Sequence, residues 1–258
     1  MIFDILTIFP AMFSSPLEES IVGKARERGL IDVRVHNIRD YAIDKHQMTD
    51  DRPFGGGEGM VMKPEPIVAA LRAIGEGGPP ARTILLSPRG RLFNQEIARE
   101  LSLLPRITLI CGRYEGVDER VAEYYTDEQI SIGDYILTGG ELAAMILVDA
   151  LTRLIPGALG NADSALSDSF SEPFLEYPQY TRPRIFEGRA VPGVLLSGNH
   201  EVIRRWRRGR ALLRTQTSRP DLFARLNLSS EDAALVEAAR EEFLAAEKNG
   251  GLDAGDLE

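Results

Sequence analysis

The sequence predicts an α/β protein built on a parallel sheet, followed by a smaller, mainly helical C-terminal part. Three observations carry this. Short apolar, β-rich runs alternate with helix-patterned segments as far as Ile155, the rhythm of βαβ units. Unusual residues collect at three strand-to-helix joints, Ser87–Gly90, Gly112–Gly116 and Gly133–Gly140, and α/β proteins bind ligands at the carboxyl ends of their strands. Beyond the small, polar stretch Asn161–Ser171 the character changes: ten arginines against two glutamates fall between Arg182 and Arg219.

In chain order, Phe3–Phe9 is an apolar strand pattern. Pro16–Arg28 has helical spacing at Leu17, Ile21 and Val22, and Gly29 ends it. Ile31–Ile38 alternates Ile31, Val33 and Val35 with Asp32, Arg34 and His36, so the chain opens β-α-β. DDRPFGGGEGM, Asp50–Met60, is too rich in glycine for a regular element. It reads as a loop that folds over a ligand, the plain alternative being a surface loop. Pro64–Ile74 is a helix with proline in its first turn. Thr83–Leu86 is a short strand ending at Ser87–Gly90, and Asn94 caps a helix through Leu104. Ile107–Cys111 is a strand closed by CGRYEG, Val117–Tyr125 is helical, and Gln129–Ile132 is the next strand. Thr138 and Glu141 have the Thr-x-x-Glu spacing of a capping box, which predicts a helix start there. Glu141–Ile155 is apolar nearly all round, so a buried helix is expected. Pro173–Pro192 reads as irregular. Asn199 caps the basic helix HEVIRRWRRGRALLR, and Ser229 or Ser230 caps a last helix over about Glu231–Glu247.

The hydrophobic share of 43% suits a packed core. No apolar run approaches the ~18–20 residues of a membrane span. Asp4 and the lack of a basic start make the N-terminus a strand rather than a signal peptide. The single cysteine, Cys111, cannot form an internal disulfide and fits a reducing, cytoplasmic setting. A net charge of −9 argues against nucleic acid for the chain as a whole, but the arginine-rich stretch makes a local phosphate-binding face. His36, His46 and His200 lack metal-ligand spacing. No GxSxG elbow, GxxxxGK[ST] loop or GxGxxG fingerprint occurs. A purine-bearing ligand without phosphates, such as S-adenosylmethionine, is compatible with the glycine loops.

IFP near the start, DDRPFGGGEGM, SPRG, CGRYEGVDER, SIGDYILTGGE, RLIPG, DSFSEP, YTRP, VLLSGNH and IRRWR occur in one order over roughly Met1–Arg214. Together they closely resemble the bacterial tRNA (guanine-N1)-methyltransferases, the TrmD family of the SPOUT superfamily, which modify guanosine 37 beside the anticodon. The resemblance implies a SPOUT-type parallel sheet with a deep trefoil knot, and an obligate homodimer whose active site uses both subunits. With it the chain reads as a knotted S-adenosylmethionine-binding domain (1–160), a linker carrying the catalytic aspartate (161–172) and a tRNA-binding helical domain (173–247), and the Gly/Asp-rich composition of 248–258 predicts a flexible tail. By motif, Leu86, Ser87 and Pro88 would line the methyl-donor site from the first loop, and Gly112, Tyr114 and Glu115 from the second. Ile132, Gly133, Asp134, Tyr135, Ile136, Leu137, Gly139 and Gly140 would do so from the third. Asp168 would be the general base and Arg153 its electrostatic partner. Arg182, Arg184, Asn199, His200, Arg204, Arg205, Arg207 and Arg208 would grip the anticodon arm. Magnesium dependence is also implied, with ligands unknown. Ala143 stands where the family commonly has proline.

The implied chemistry suits these residue types. Guanine N1 is a poor nucleophile until it loses its proton, which a carboxylate within hydrogen-bond reach can accept. Charge then grows on O6, where an arginine stabilises it. Each residue also has a plainer role on its own: Asp168 as a helix cap, Arg153 as the ion-pair partner of Asp149, Tyr114 and Tyr135 as aromatics at the core's edge, Glu115 as a neutraliser of Arg113, Cys111 as a small buried hydrophobe. The order of the motifs is what favours the catalytic roles. Alternatives are a ribose 2′-O methyltransferase of the same superfamily, a non-catalytic RNA-binding protein, and a dinucleotide-binding oxidoreductase, which the missing GxGxxG disfavours.

Overall fold

The computed structural model describes residues 1–76, 78–160, 169–170 and 173–248. Two compact units part after Ala162. In the first, β1 (Ile2–Thr7), α1 (Ser20–Glu27) and β2 (Asp32–Asn37) form the opening β-α-β. A two-strand ladder, β3 (Asp50–Asp51) and β4 (Val61–Met62), then precedes α2 (Pro64–Gly75). There follow β5 (Arg82–Leu92), α3 (Gln95–Ser102), β6 (Arg106–Cys111), α4 (Glu119–Tyr124), β7 (Glu128–Ser131) and α5 (Glu141–Thr152). The sheet order is β2-β1-β6-β5-β7, with every pairing parallel.

The two-residue period of the strands sorts the core into two layers. Phe3 and Ile5, Ile84 and Leu86, and Ile107 and Leu109 pack with residues of α1, α3 and α5. Leu6, Leu85 and Ile110 pack on the opposite face with residues of α2 and α4. One charged group interrupts this second face. The carboxylate of Asp4, fully buried, accepts from Arg106 Nε at 2.7 Å and lies 2.8 Å from His36 Nε2. Arg106 also donates to Ile74 O at 2.6 Å near the end of α2, so it ties helix to sheet.

The structure corrects several sequence expectations. The first helix begins at Ser20, not Pro16, after a 3-10 turn at Pro10–Phe13 and irregular backbone. The Asp50–Met60 stretch is not wholly irregular, because Asp50 and Asp51 pair with Met62 and Val61. Ser87–Gly90 is not a loop after a short strand. It lies inside β5, and a register shift between Leu86 and Arg91 against β7 absorbs it. Pro88, which has no N–H, sits in this irregularity, where no ladder donor is missed. Helix α5 is not buried all round: Leu142 and Ile146, four apart on one face, are exposed.

The second unit contains the hairpin β8 (Ile185–Phe186) and β9 (Arg189–Ala190), then α6 (His200–Ser218), α7 (Pro220–Phe223) and α8 (Ser230–Lys248). The hairpin corrects the expectation of an irregular 173–192. Its two-residue turn, Glu187–Gly188, has positive φ at both positions, the form that matches strand twist. Asn199 caps α6 by accepting from the Val202 N–H. At α8 the cap is Ser229: its hydroxyl accepts from the Asp232 N–H at 3.0 Å, and Asp232 reaches back to the Ser229 N–H. Gly209 lets α6 approach α8 closely, since a Cβ there would stand 2.8 Å from Leu235 O.

Burial acts to raise the Asp4 carboxyl pKa, but the hydrogen bonds from His36 and Arg106 outweigh it and hold it below the usual value. A depressed carboxyl contributes stability that is present above the unfolded value of ~3.9 and lost as pH falls through the folded value. Asp4→Asn is therefore expected to lose about 3–5 kcal/mol near neutral pH. The gap from the unaltered protein should narrow as pH falls below ~4. Urea unfolding followed at several pH values checks both statements.

Candidate functional site

A cleft of about 500 Å3 opens in the first unit beyond the carboxyl ends of β6 and β7, against the irregular middle of β5. Three chain segments line it: Leu85–Arg89, Gly112–Val117, and Ile130–Gly133 continued by Tyr135–Gly140, with Glu119 and Ala143. All the residues expected to hold a methyl donor line it except Asp134, which is exposed outside the lining. Sequence reasoning missed Arg113, Thr138, and the rim pair Arg89–Glu119 at 2.8 Å. Ala143 lines the cleft as well, so the departure from proline falls on the site itself.

The second and third loops are fastened together. Gly140 N–H donates to Gly112 O at 2.9 Å, and Arg113 bridges to Gly139. Behind this seam lies Glu141, fully buried. Its Oε1 accepts from Thr7 Oγ1 at 2.8 Å, and its Oε2 accepts from Arg113 Nε at 2.9 Å. Arg113 donates also to Thr138 O and stacks over the Phe9 ring at 4.5 Å. The expected capping box therefore does not form. Glu141 is the first residue of α5, Gly140 is the cap, and no side chain caps the helix. The carboxylate is engaged by Thr7 and Arg113 instead. Arg113 is likewise not neutralised by Glu115 but by Glu141.

Gly139 and Gly140 permit this closeness. A Cβ on Gly139 would overlap the Arg113 side chain, and one on Gly140 would sit 2.8 Å from Cys111 Cα. Burial, with the nearby Glu141 charge, pushes the Cys111 thiol well above its ordinary pKa, so it stays neutral as a small core residue. Tyr114 adopts φ 59°, a left-handed conformation costly for a residue with a Cβ. It is half-exposed on the cleft wall, as is Tyr135, rather than packed at the core's edge. The glycine-rich 50–60 stretch is anchored to the same wall: Glu115 N–H donates to Met60 O, and Met62 N–H to Gly116 O. Ser131 Oγ and the Gly133 backbone bond each other and hold the turn, while Ile130, Ile132 and Leu137 add apolar residues to the lining.

Arg153 is not at the cleft. It is the C-cap of α5, the opposite end of the helix from Gly140, roughly 20 Å away at 1.5 Å per residue. Asp168 and most of the 161–172 linker lie outside the described residues. In the second unit Arg204 pairs with Glu201, Arg205 with Glu231 and Arg208 with Asp232. Arg182, Arg184 and Arg207 have no carboxylate partner among the described residues. Asn199 is engaged as the helix cap, and His200 is exposed at the first position of α6. Among the described residues no group of three or more His, Cys, Asp or Glu is arranged to hold a metal ion.

The parallel sheet, with a cleft of mixed polar and apolar lining between its loops, defines an α/β protein with a candidate small-ligand site. Residues 1–225 match the family model described as tRNA (Guanine-1)-methyltransferase TrmD. The chain is 58% identical over 237 residues to the tRNA (guanine-N(1)-)-methyltransferase of Geotalea uraniireducens, covering 92% of this chain and 96% of that one. It is 56% identical over 240 residues to the same-named protein of Dictyoglomus turgidum, with 93% and 97% coverage. For that of Dehalococcoides mccartyi the identity is 53% over 249 residues, with 96% and 99% coverage. The chain belongs to the tRNA (guanine-1)-methyltransferase TrmD family.

The seam between the loops has a direct test. Gly140→Ala is expected to destabilise the protein by about 1–3 kcal/mol, because the added methyl must displace backbone rather than a flexible side chain. Thermal unfolding of the variant beside the unaltered protein measures this.

Proposed function

We propose that the protein transfers a methyl group from S-adenosylmethionine to N1 of guanosine 37 in tRNA. The observation that carries this reading is the coincidence of the family's three loop motifs with one cleft at the strand ends. A volume of about 500 Å3 suits a ligand of this size. The donor set fits too: glycine-freed backbone groups and apolar walls can hold an adenine ring, with no phosphate grip required. When bound, S-adenosylmethionine supplies an electrophilic methyl on its sulfonium. The chain's own residues then do the rest. The 132–140 loop holds the adenine and the methionine, and Leu86, Ser87 and Pro88 with Gly112, Tyr114 and Glu115 line the same site. Asp168 accepts the guanine N1 proton, and Arg153 offsets the charge growing on O6. The target base must leave its stack to be reached.

A deep trefoil knot accords with β5 engaging β7 on both sides of its register shift and with Gly112 and Gly140 held together across the cleft. A homodimer accords with two features. Leu142 and Ile146 present an apolar face on α5, and Arg153 lies too far from its own helix's cleft end to act there. In this reading Arg153 and Asp168 serve a cleft formed with a second copy. Residues 1–160 form the methyl-transfer domain, 161–172 the linker, and 173–247 bind the anticodon arm through arginine–phosphate contacts. No described helix is long and apolar enough to cross a membrane, in keeping with a cytoplasmic enzyme. Magnesium remains an implication of the resemblance, and no step is assigned to it.

Radiolabelled methyl transfer to G37 and A37 transcripts tests the reading. Label on the G37 transcript alone, mapped to guanine N1, is expected; equal labelling of both would favour the ribose 2′-O alternative. Asp168→Asn should lower transfer by about 10²–10⁴-fold while leaving S-adenosylmethionine affinity nearly unchanged. Loss of folding in that variant would return Asp168 to a capping role.

A further inference from the structure

A second cleft, of about 470 Å3, lies wholly within the C-terminal unit, between the 177–184 segment, Leu195–Leu196 and α6. Its wall combines Arg182, Arg184 and Arg207 with Tyr177 and Tyr180, over a floor that includes Leu195 and Leu196. No carboxylate is among the lining residues. This differs from the rest of α6, where Arg204, Arg205 and Arg208 are matched by Glu201, Glu231 and Asp232. Three cations without a carboxylate partner among the described residues, Arg182, Arg184 and Arg207, thus converge on the cleft.

The two tyrosines are not equivalent. The Tyr177 ring is covered by the Arg207 guanidinium at 4.7 Å. Tyr180 is 43% exposed and lies near the tilted ring of Trp206, with centroids 6.5 Å apart. An inorganic anion would use the arginines but not the exposed ring or the leucine floor. An apolar ligand would use the floor and strand three charges. A nucleotide uses all of it, since every base has a π-face and carries phosphate beside it.

We propose that this cleft receives one unstacked nucleotide of single-stranded RNA, its base against Tyr180 and the leucines and its phosphates against Arg182, Arg184 and Arg207. The site is separate from the methyl-donor cleft. It deepens the tRNA reading and rests on it: the contact would secure an extruded or loop base, not merely the charge of the backbone.

Trp206, the only tryptophan in the chain, abuts Tyr180 and reports the site. The full-length protein is titrated with a mixed-sequence ribotrinucleotide, and in parallel with an abasic counterpart bearing the same phosphates. The intact trinucleotide is expected to change Trp206 emission saturably and to bind at least about tenfold more tightly than the abasic one. Tyr180→Ala should erase most of that difference and Tyr180→Phe should preserve it. Arg182→Ala and Arg184→Ala should each reduce the salt dependence of binding by about one unit of slope. Equal affinity of the intact and abasic ligands overturns the proposal, and that comparison needs no variant. So does a folded Tyr180→Ala protein that binds as tightly as before. Methyl transfer to full-length tRNA, measured on the same preparation, separates the two readings. Transfer without base-dependent binding sinks the cleft alone. Base-dependent binding without transfer sinks the guanine-N1 reading and leaves the cleft standing.

Discussion

The buried carboxylate of Glu141 holds the candidate site together. It stands at the first turn of α5, where the helix's unpaired N–H groups favour negative charge. It is fully removed from solvent, yet both oxygens are matched, one by Thr7 at the end of β1 and the other by Arg113 after β6. A buried charge is tolerated only when paired and hydrogen-bonded. The same three residues therefore fix the relative positions of three chain segments distant in sequence. Because Arg113 also reaches Thr138 O, the third loop is drawn into the same network. The cleft is the space left between loops that this network does not allow to drift.

The second buried charge, Asp4, plays a parallel part on the other face of the sheet. There the partners are His36 on β2 and Arg106 on β6, the two strands that flank β1. One network secures the sheet's centre, and the other secures the edge where the candidate cleft opens. Both start from β1, whose Asp4 and Thr7 are buried polar residues in an otherwise apolar strand. Such exceptions in a core strand usually mark where geometry is being specified rather than merely stabilised.

Much of this was legible in the sequence, for identifiable reasons. Period-two alternation and glycine joints gave the strands and their loops, and caps such as Asn94 and Asn199 marked true helix starts. What misled were local rules overridden by distant partners. Thr138 and Glu141 have capping-box spacing, but Thr7, more than a hundred residues away, claims the carboxylate. SPRG looks like a strand-ending turn, yet β7 continues the pairing past it. The Glu187–Gly188 turn carried a signal for the hairpin that the surrounding prolines obscured. The loop residues of the cleft could be named beforehand because motif order placed them. Arg113 and Thr138 could not, because their role depends on the tertiary seam.

The most direct test of this account is calorimetric titration of S-adenosylmethionine into the unaltered protein and into Glu141→Gln. The substitution preserves size and an acceptor for Thr7 but removes the charge that holds Arg113. One binding event per cleft is predicted for the unaltered protein, and at least about tenfold weaker binding for a Glu141→Gln protein that remains folded. Undiminished affinity in that folded variant would contradict the claim that the Glu141 network shapes the site.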